Sequence, residues 1–270
     1  MLFILMPIVL VAIILILGKI NLSIRFDKQV KELFAQSKNI SEKKFNYQQL
    51  VGLPDPVQKY FKYVMKEGQH YISYVRLKHD GQFKTDLKKD WINITGEQYF
   101  TTAKPGFIWK GNTMMFTARD MYLADKGRLI VSLFSIINVV NAHGEQYNQG
   151  ELLRWLGESL WFPTNLLPDE NLKWTPIDNQ SAKLTFNHKG LTMYFIVSFN
   201  NIGEITQMET KRNIDEKNIE TWICKVADYQ DKNGIIIPTK TEALWRLQNI
   251  DYGYAKFNVI KIEYDKPEKF

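Results

Sequence analysis

A single cysteine, Cys224, stands among 270 residues, so the chain forms no internal disulfide and packing must hold it together. The four histidines, His70, His79, His143 and His188, are scattered, with no His-x-x-x-His spacing. A divalent metal needs three or four convergent ligands. One doublet, His143-Gly144-Glu145, does not supply them, and it reads as an ordinary polar loop. Neither a glycine-rich phosphate loop nor a G-x-S-x-G elbow occurs. Ser41-Glu42-Lys43-Lys44 matches S-x-x-K in form alone, since it lies in a polar linker without companion motifs. No metal and no cofactor is therefore expected. Charge of one sign is also missing. Lys and Arg number 35 against 29 Asp and Glu, and 13% of residues are aromatic. That composition excludes a disordered chain, and without a recognised motif it argues against nucleic-acid binding.

Long apolar runs are scarce as well, which excludes a polytopic membrane protein. The exception is residues 1–17, without a charge or strongly polar group. As a helix they cover about 25 Å, and Gly18, Ile20 and Leu22 extend them toward a ~30 Å hydrocarbon core. Nothing basic precedes the run and no small-residue cleavage site follows, so an uncleaved single-pass anchor over residues 1–22 is expected rather than a signal peptide. Lys19, Arg25, Lys28 and Lys31 follow it, and the positive-inside rule then favours a cytoplasmic domain, with an extracytoplasmic one as the alternative. Residues 19–90 hold 15 basic against 8 acidic side chains, whereas residues 91–270 hold 20 against 21. Anionic lipid headgroups are the expected neighbours of that basic segment, a solvated basic face being the plainer alternative.

Past the anchor, Ile24, Phe26, Val30, Leu33 and Phe34 recur at helical spacing. This predicts a juxtamembrane amphipathic helix which, with a polar linker, occupies residues 23–44. A second helix is expected over 53–65, with Asp55 as N-cap, Pro56 first in the helix, and Val57, Tyr60, Phe61 and Val64 on one face. From residue 71 the period changes to alternation. Strands are expected at 71–78, 82–86 after a turn at Asp80-Gly81, 91–95, 98–101, 107–109, 114–122 and 128–134 after a turn at Lys126-Gly127. Later, Leu191, Met193, Phe195, Val197 and Phe199 share one face, as do Asn258, Ile260, Ile262 and Tyr264. One helix interrupts at 150–161, with Leu152, Leu153, Leu156 and Leu160 as its stripe. The fold expected is mainly β within the α+β class: a large antiparallel sheet or open barrel with one packed helix, forming a single domain over 45–270.

In order, the segments are LPDPVQKYF (53–61), Gln98-Tyr99-Phe100, PGFIW (105–109), Arg119-Asp120-Met121-Tyr122, GELLRWLGESLWFPTNLL (150–167) and Trp174. Phe199, Gly203, Arg212, Trp222, Asp228-Tyr229, Gly234, Ile237-Pro238 and Trp245 follow. Over roughly residues 45–265 the chain resembles a bacterial family of uncharacterised proteins, a domain of unknown function often carried behind an N-terminal membrane helix. The resemblance implies a fold unit and no established activity. In architecture the strands and inserted helices are also similar to the half-barrels of LolA-type lipoprotein carriers.

Two constellations are candidates for chemistry. Asp120, Glu151, Glu158 and Asp228 are the carboxylates that a hydrolase would divide into acid and base. Arg119 and Arg154 are available to pair with them, which favours structural ion pairs, with Glu151 and Glu158 each one helical turn from Arg154. The other constellation is aromatic: seven Trp, 16 Phe and 13 Tyr. Most belong in a core, yet a sheet too wide for one helix to fill leaves an apolar groove. Its candidate residues are Trp109, Arg119, Asp120, Arg154, Trp155, Glu158 and Trp161, with Trp155 and Trp161 at the rim. Non-enzymatic binding of an apolar ligand or envelope component at the membrane leads; a hydrolase and an interaction module without a ligand follow.

Overall fold

The structure is a computed structural model that describes residues 2–215 and 217–270; Met1 of the expected anchor lies outside them. Three α-helices are described, α1 (Leu2–Ala35), α2 (Asp55–Val64) and α3 (Glu145–Glu158). The strands of the first half are β1 (Tyr74–Phe83), β2 (Ile92–Thr101), β3 (Gly106–Asn112), β4 (Phe116–Leu123), β5 (Lys126–Leu133) and β6 (Ile137–His143). Those of the second are β7 (Leu172–Asp178), β8 (Ser181–His188), β9 (Leu191–Phe199), β10 (Ile205–Asn213), β11 (Ile219–Lys232), β12 (Ile235–Leu247) and β13 (Ile250–Tyr264). All thirteen form one open antiparallel sheet, ordered β6 to β1, then β13 down to β7. Each half is a meander, because neighbours in sequence pair in space and short turns suffice. The two halves join where β1 pairs with β13, and the mainly β open sheet expected from the alternation is what forms.

Alternation along the strands gives the sheet two faces. Phe100, Phe107, Trp109 and Tyr122 point inward, where α2 and α3 cover them. Tyr99, Ile108 and Met121 point outward and meet α1. Residues 2–35 are one continuous helix, rather than an anchor followed by a separate amphipathic segment. Phe26, Val30, Leu33 and Phe34 are buried on the outer face, while Ile24, expected on that stripe, is exposed. Val9–Ala35 is the one helix, among the described residues, long and apolar enough to cross a membrane. Its later half packs on the sheet, whereas Val9, Leu10, Ile13, Ile16 and Leu17 before it are exposed.

Several local readings change for physical reasons. No turn forms at Asp80-Gly81. A Cβ on Gly81 would sit 1.9 Å from the Lys256 carbonyl oxygen, so this glycine permits close approach of β13 within an unbroken β1. The stretches 91–95 and 98–101 fuse into β2. The β4–β5 turn lies at Ala124-Asp125, both left-handed (φ 52° and 64°), and Lys126-Gly127 begin β5. On β13 the alternation slips by one, since Lys78 pairs with Lys261 but His79 with Val259. Ile260 is the extra residue of this bulge and is exposed, so Asn258 and Ile260 do not share the inner face with Ile262. Pro54, not Asp55, is the N-cap of α2, and the expected face of Val57, Tyr60, Phe61 and Val64 is buried. The 150–161 helix begins earlier, at Glu145, and 159–161 close it as a 3₁₀ turn.

Candidate functional site

Between α3 and the inner face lies a cavity of about 700 Å³, within the ~300–1,000 Å³ usual for ligand pockets. Small residues make room for it. Gly96, Gly111 and Ala118 lie side by side across β2, β3 and β4. A Cβ on Gly96 would sit 2.1 Å from His79 Nε2, and one on Gly111 2.3 Å from the Trp109 ring. Both rings therefore lie flat over glycine instead of standing in the cavity. Trp109, Trp161, Trp222, Trp245 and Phe257 contribute most of the aromatic wall. Val139 and Val140 on β6 line the cavity and are themselves exposed, so it is open on that side.

One end is polar, and α3 supplies it. Glu151, Arg154 and Glu158 project from successive turns of the helix toward the sheet. Arg154 Nη1 donates to Asp120 Oδ2 at 2.6 Å and its Nε to Glu158 Oε1 at 2.9 Å. Gln98 Nε2 donates to the other Glu158 oxygen at 2.6 Å. The guanidinium carbon lies 5.0 Å from the ring centres of both Phe107 and Trp109. Glu151, although one turn from Arg154, pairs with Arg212 at 3.4 Å. The triad expected along one helix face is thus a five-residue cluster drawn from α3, β4 and β10.

Burial decides the protonation states. It pulls the Arg154 guanidinium down, but Glu158 and Asp120 outweigh it and hold the group charged. Burial pushes Glu158 above the usual carboxylate range, against Arg154. Glu151 is pushed well above, first by burial and then by the negative charge of Asp120. Each of these two acids has one buried oxygen without another donor, Glu151 Oε2 and Asp120 Oδ1. Burial beside Asp120 thus favours the neutral form of Glu151. Burial also pushes the Cys224 thiol up to about 12, so this wall residue is an unreactive apolar group.

His79, which sequence reasoning set aside with the other histidines, is buried beneath the cavity. Trp109 Nε1 donates to its Nε2 at 2.7 Å, which requires neutral imidazole. Burial accordingly lowers its pKa from 6.5 to about 4. A depressed histidine contributes stability that is complete above its unfolded value and is lost as pH falls through the folded value. Stability should therefore decline by about 3 kcal/mol between pH 6.5 and 4 on account of this residue. Urea titrations of the parent and His79→Gln across that range check it: the variant should lack this component, and parallel curves would refute it.

The other expected site residues fall in different places. Trp109, Asp120, Glu151, Arg154, Glu158 and Trp161 line the cavity together. Arg119 faces outward and donates to Gln29 of α1 at 3.0 Å, since neighbours on a strand point to opposite faces. Trp155 donates to the Thr101 carbonyl inside the core, and Trp161 to that of Pro238, so neither forms a rim. Asp228 is hydrogen-bonded to Thr239 and near Lys240 at the surface, and it does not line the cavity. Arg212, Trp222, Tyr254 and Gln98 complete the site. No group of three or more potential metal ligands occurs among the described residues.

No match was found among curated proteins. A crystal structure of a LolA superfamily protein from Nitrosomonas europaea is similar at 10% identity and TM-score 0.36, covering 78% of this chain and 92% of that one. A putative outer membrane lipoprotein-sorting protein domain from Vibrio parahaemolyticus is similar at 6% identity and TM-score 0.30, covering 72% and 86%. Residues 43–257 match a family described as "Family of unknown function (DUF6544)".

Proposed function

The chain belongs to the DUF6544 family of unknown function, and with no activity to inherit we propose that it is a membrane-anchored protein that binds an apolar ligand or the acyl part of an envelope component in the α3 cavity. The carrying observation is that α3 leaves about 700 Å³ unfilled on a face lined by tryptophan, phenylalanine and valine. A module built only for packing would fill that space, because interiors close to near-crystal density. The α1 span before residue 22 supplies the anchor, and on the flanking charges of Lys19, Arg25, Lys28 and Lys31 the domain faces the cytoplasm. Anionic headgroups then surround Lys19 and Arg25, the two of these nearest the span.

The polar end gives orientation to the ligand, with Glu151 and Asp120 as its hydrogen-bonding groups. Pairing with Arg212 and Arg154 supports binding over hydrolysis for these acids. Titration of the full chain with a fluorescent long-chain fatty acid or phospholipid should show saturable binding. Ala243 faces Ala255 across β12 and β13 in the cavity wall, and Ala243→Trp should abolish that binding by filling the space. Equal binding by parent and variant would exclude the cavity as the site.

A further inference from the structure

We propose that the end of the sheet carrying the β3–β4 and β5–β6 turns is seated in the same lipid bilayer that α1 crosses, so that the cavity opens toward lipid. The strand register defines this end. Phe83 pairs with Ile92, Thr95 with Asn112, and Phe116 with Leu133, so the β1–β2, β3–β4 and β5–β6 connections all leave the sheet on one side.

Those tips are apolar and bare. Met114 is 97% exposed, and Met115, Phe134, Ile136, Ile137 and Val139 are exposed beside it. Scattered apolar side chains on a surface need no explanation, but contiguous ones on neighbouring hairpins mark a site that contacts something. The position of α1 says what that is. At the far end of the sheet Leu33 packs on Gly106, and mid-sheet Gln29 meets Arg119. Read backward, the helix reaches the β5–β6 tip, where a Cβ on Gly18 would lie 2.6 Å from Ile136 Cγ1 and 3.2 Å from the Ser135 oxygen. Gly18 lets the hairpin touch the helix, as small residues do at close helix contacts. Beyond it α1 continues for about 24 Å as the apolar run. The hairpin tips therefore stand level with the start of the membrane-crossing segment, on the side toward the bilayer. An apolar tip at that depth lies among acyl chains.

The cavity reaches the same end. Leu133, Val139 and Val140 line it from β5 and β6, and Thr85 and Lys89 from the β1–β2 connection. A lipid leaving the bilayer would then enter without crossing water. The proposal rests on α1 being a membrane span and is independent of whether the cavity is filled.

Benzoylphenylalanine placed at Met114 or Phe134 of the full chain tests it, in vesicles of phosphatidylcholine and phosphatidylglycerol. Ile13, within the span, and Lys66, exposed ahead of β1 at the opposite end, are the comparison positions. After irradiation, phospholipid-mass adducts are expected from 13, 114 and 134 and none from 66. Adducts from 13 alone would overturn the proposal and leave the anchor standing. Absence from all three would remove both. Cross-linked dimers in place of lipid adducts at 114 and 134 would show that a second copy covers the tips, which also overturns it.

Discussion

Arg154→Ala is expected to lower stability by about 3–5 kcal/mol, because it strands two mostly buried carboxylates, Asp120 and Glu158. Asp120 and Glu158 are mostly buried, and among the described residues their bonds to Arg154 of 2.6 and 2.9 Å are their only ion pairs. Removing the guanidinium also removes its stacking on Phe107 and Trp109. For a chain of this size the melting midpoint should fall by roughly 6–20 °C. Part of the loss should return when Asp120→Asn and Glu158→Gln are added, since the stranded charges are then gone. A midpoint within about 1 °C of the parent would mean that the cluster is hydrated and contributes almost nothing.

Removing residues 1–44 should have an effect at least as large. Phe26, Val30, Leu33 and Phe34 cover Tyr99, Ile108 and Met121 on the outer face. Buried side chains of this kind are worth about 1.5–3 kcal/mol each, before the cost of ordering the helix is set against them. The same cut exposes Tyr74 and Ile130, which leaves an apolar patch on the sheet. A chain of residues 23–270 keeps that helix half and should unfold cooperatively near the parent's urea midpoint. A chain of residues 45–270 should unfold at much lower urea and bind a hydrophobic dye. Equal midpoints for the two truncations would show that the outer helix adds no stability.

The contrast between these two predictions shows what the residues disclose. The α1 stripe was legible because a helix leaves its period in the chain, but its continuity with the apolar run before it was not: the change from apolar to amphipathic near residue 22 read as a boundary, although one helix runs through it. The antiparallel sheet was legible from alternation. The β13 bulge was invisible, since Ile260 is apolar and in phase with Ile262, and its displacement comes from pairing with β1. Edge strand β6 escaped because it is exposed on both faces and carries no alternating pattern to read. At the site, Arg154, Glu158 and Asp120 could be brought together from helical spacing and supply of partners. Glu151's preference for Arg212 depends on how β10 passes α3, which no local spacing encodes. His79 looked ordinary for the same reason: its importance comes from Gly96 and Trp109 on neighbouring strands. Arg119 was misplaced relative to Asp120 because the family-like segment does not say which parity of β4 faces inward.

Mass spectrometry of lipid extracted from the purified full chain tests the central claim most directly, with Ala243→Trp prepared in parallel. Lipid around α1 will accompany both proteins equally. The account predicts an additional acyl-bearing species, near one per chain, with the parent and its absence from Ala243→Trp. Identical lipid complements in the two preparations, with Ala243→Trp folded, would contradict a ligand in the cavity.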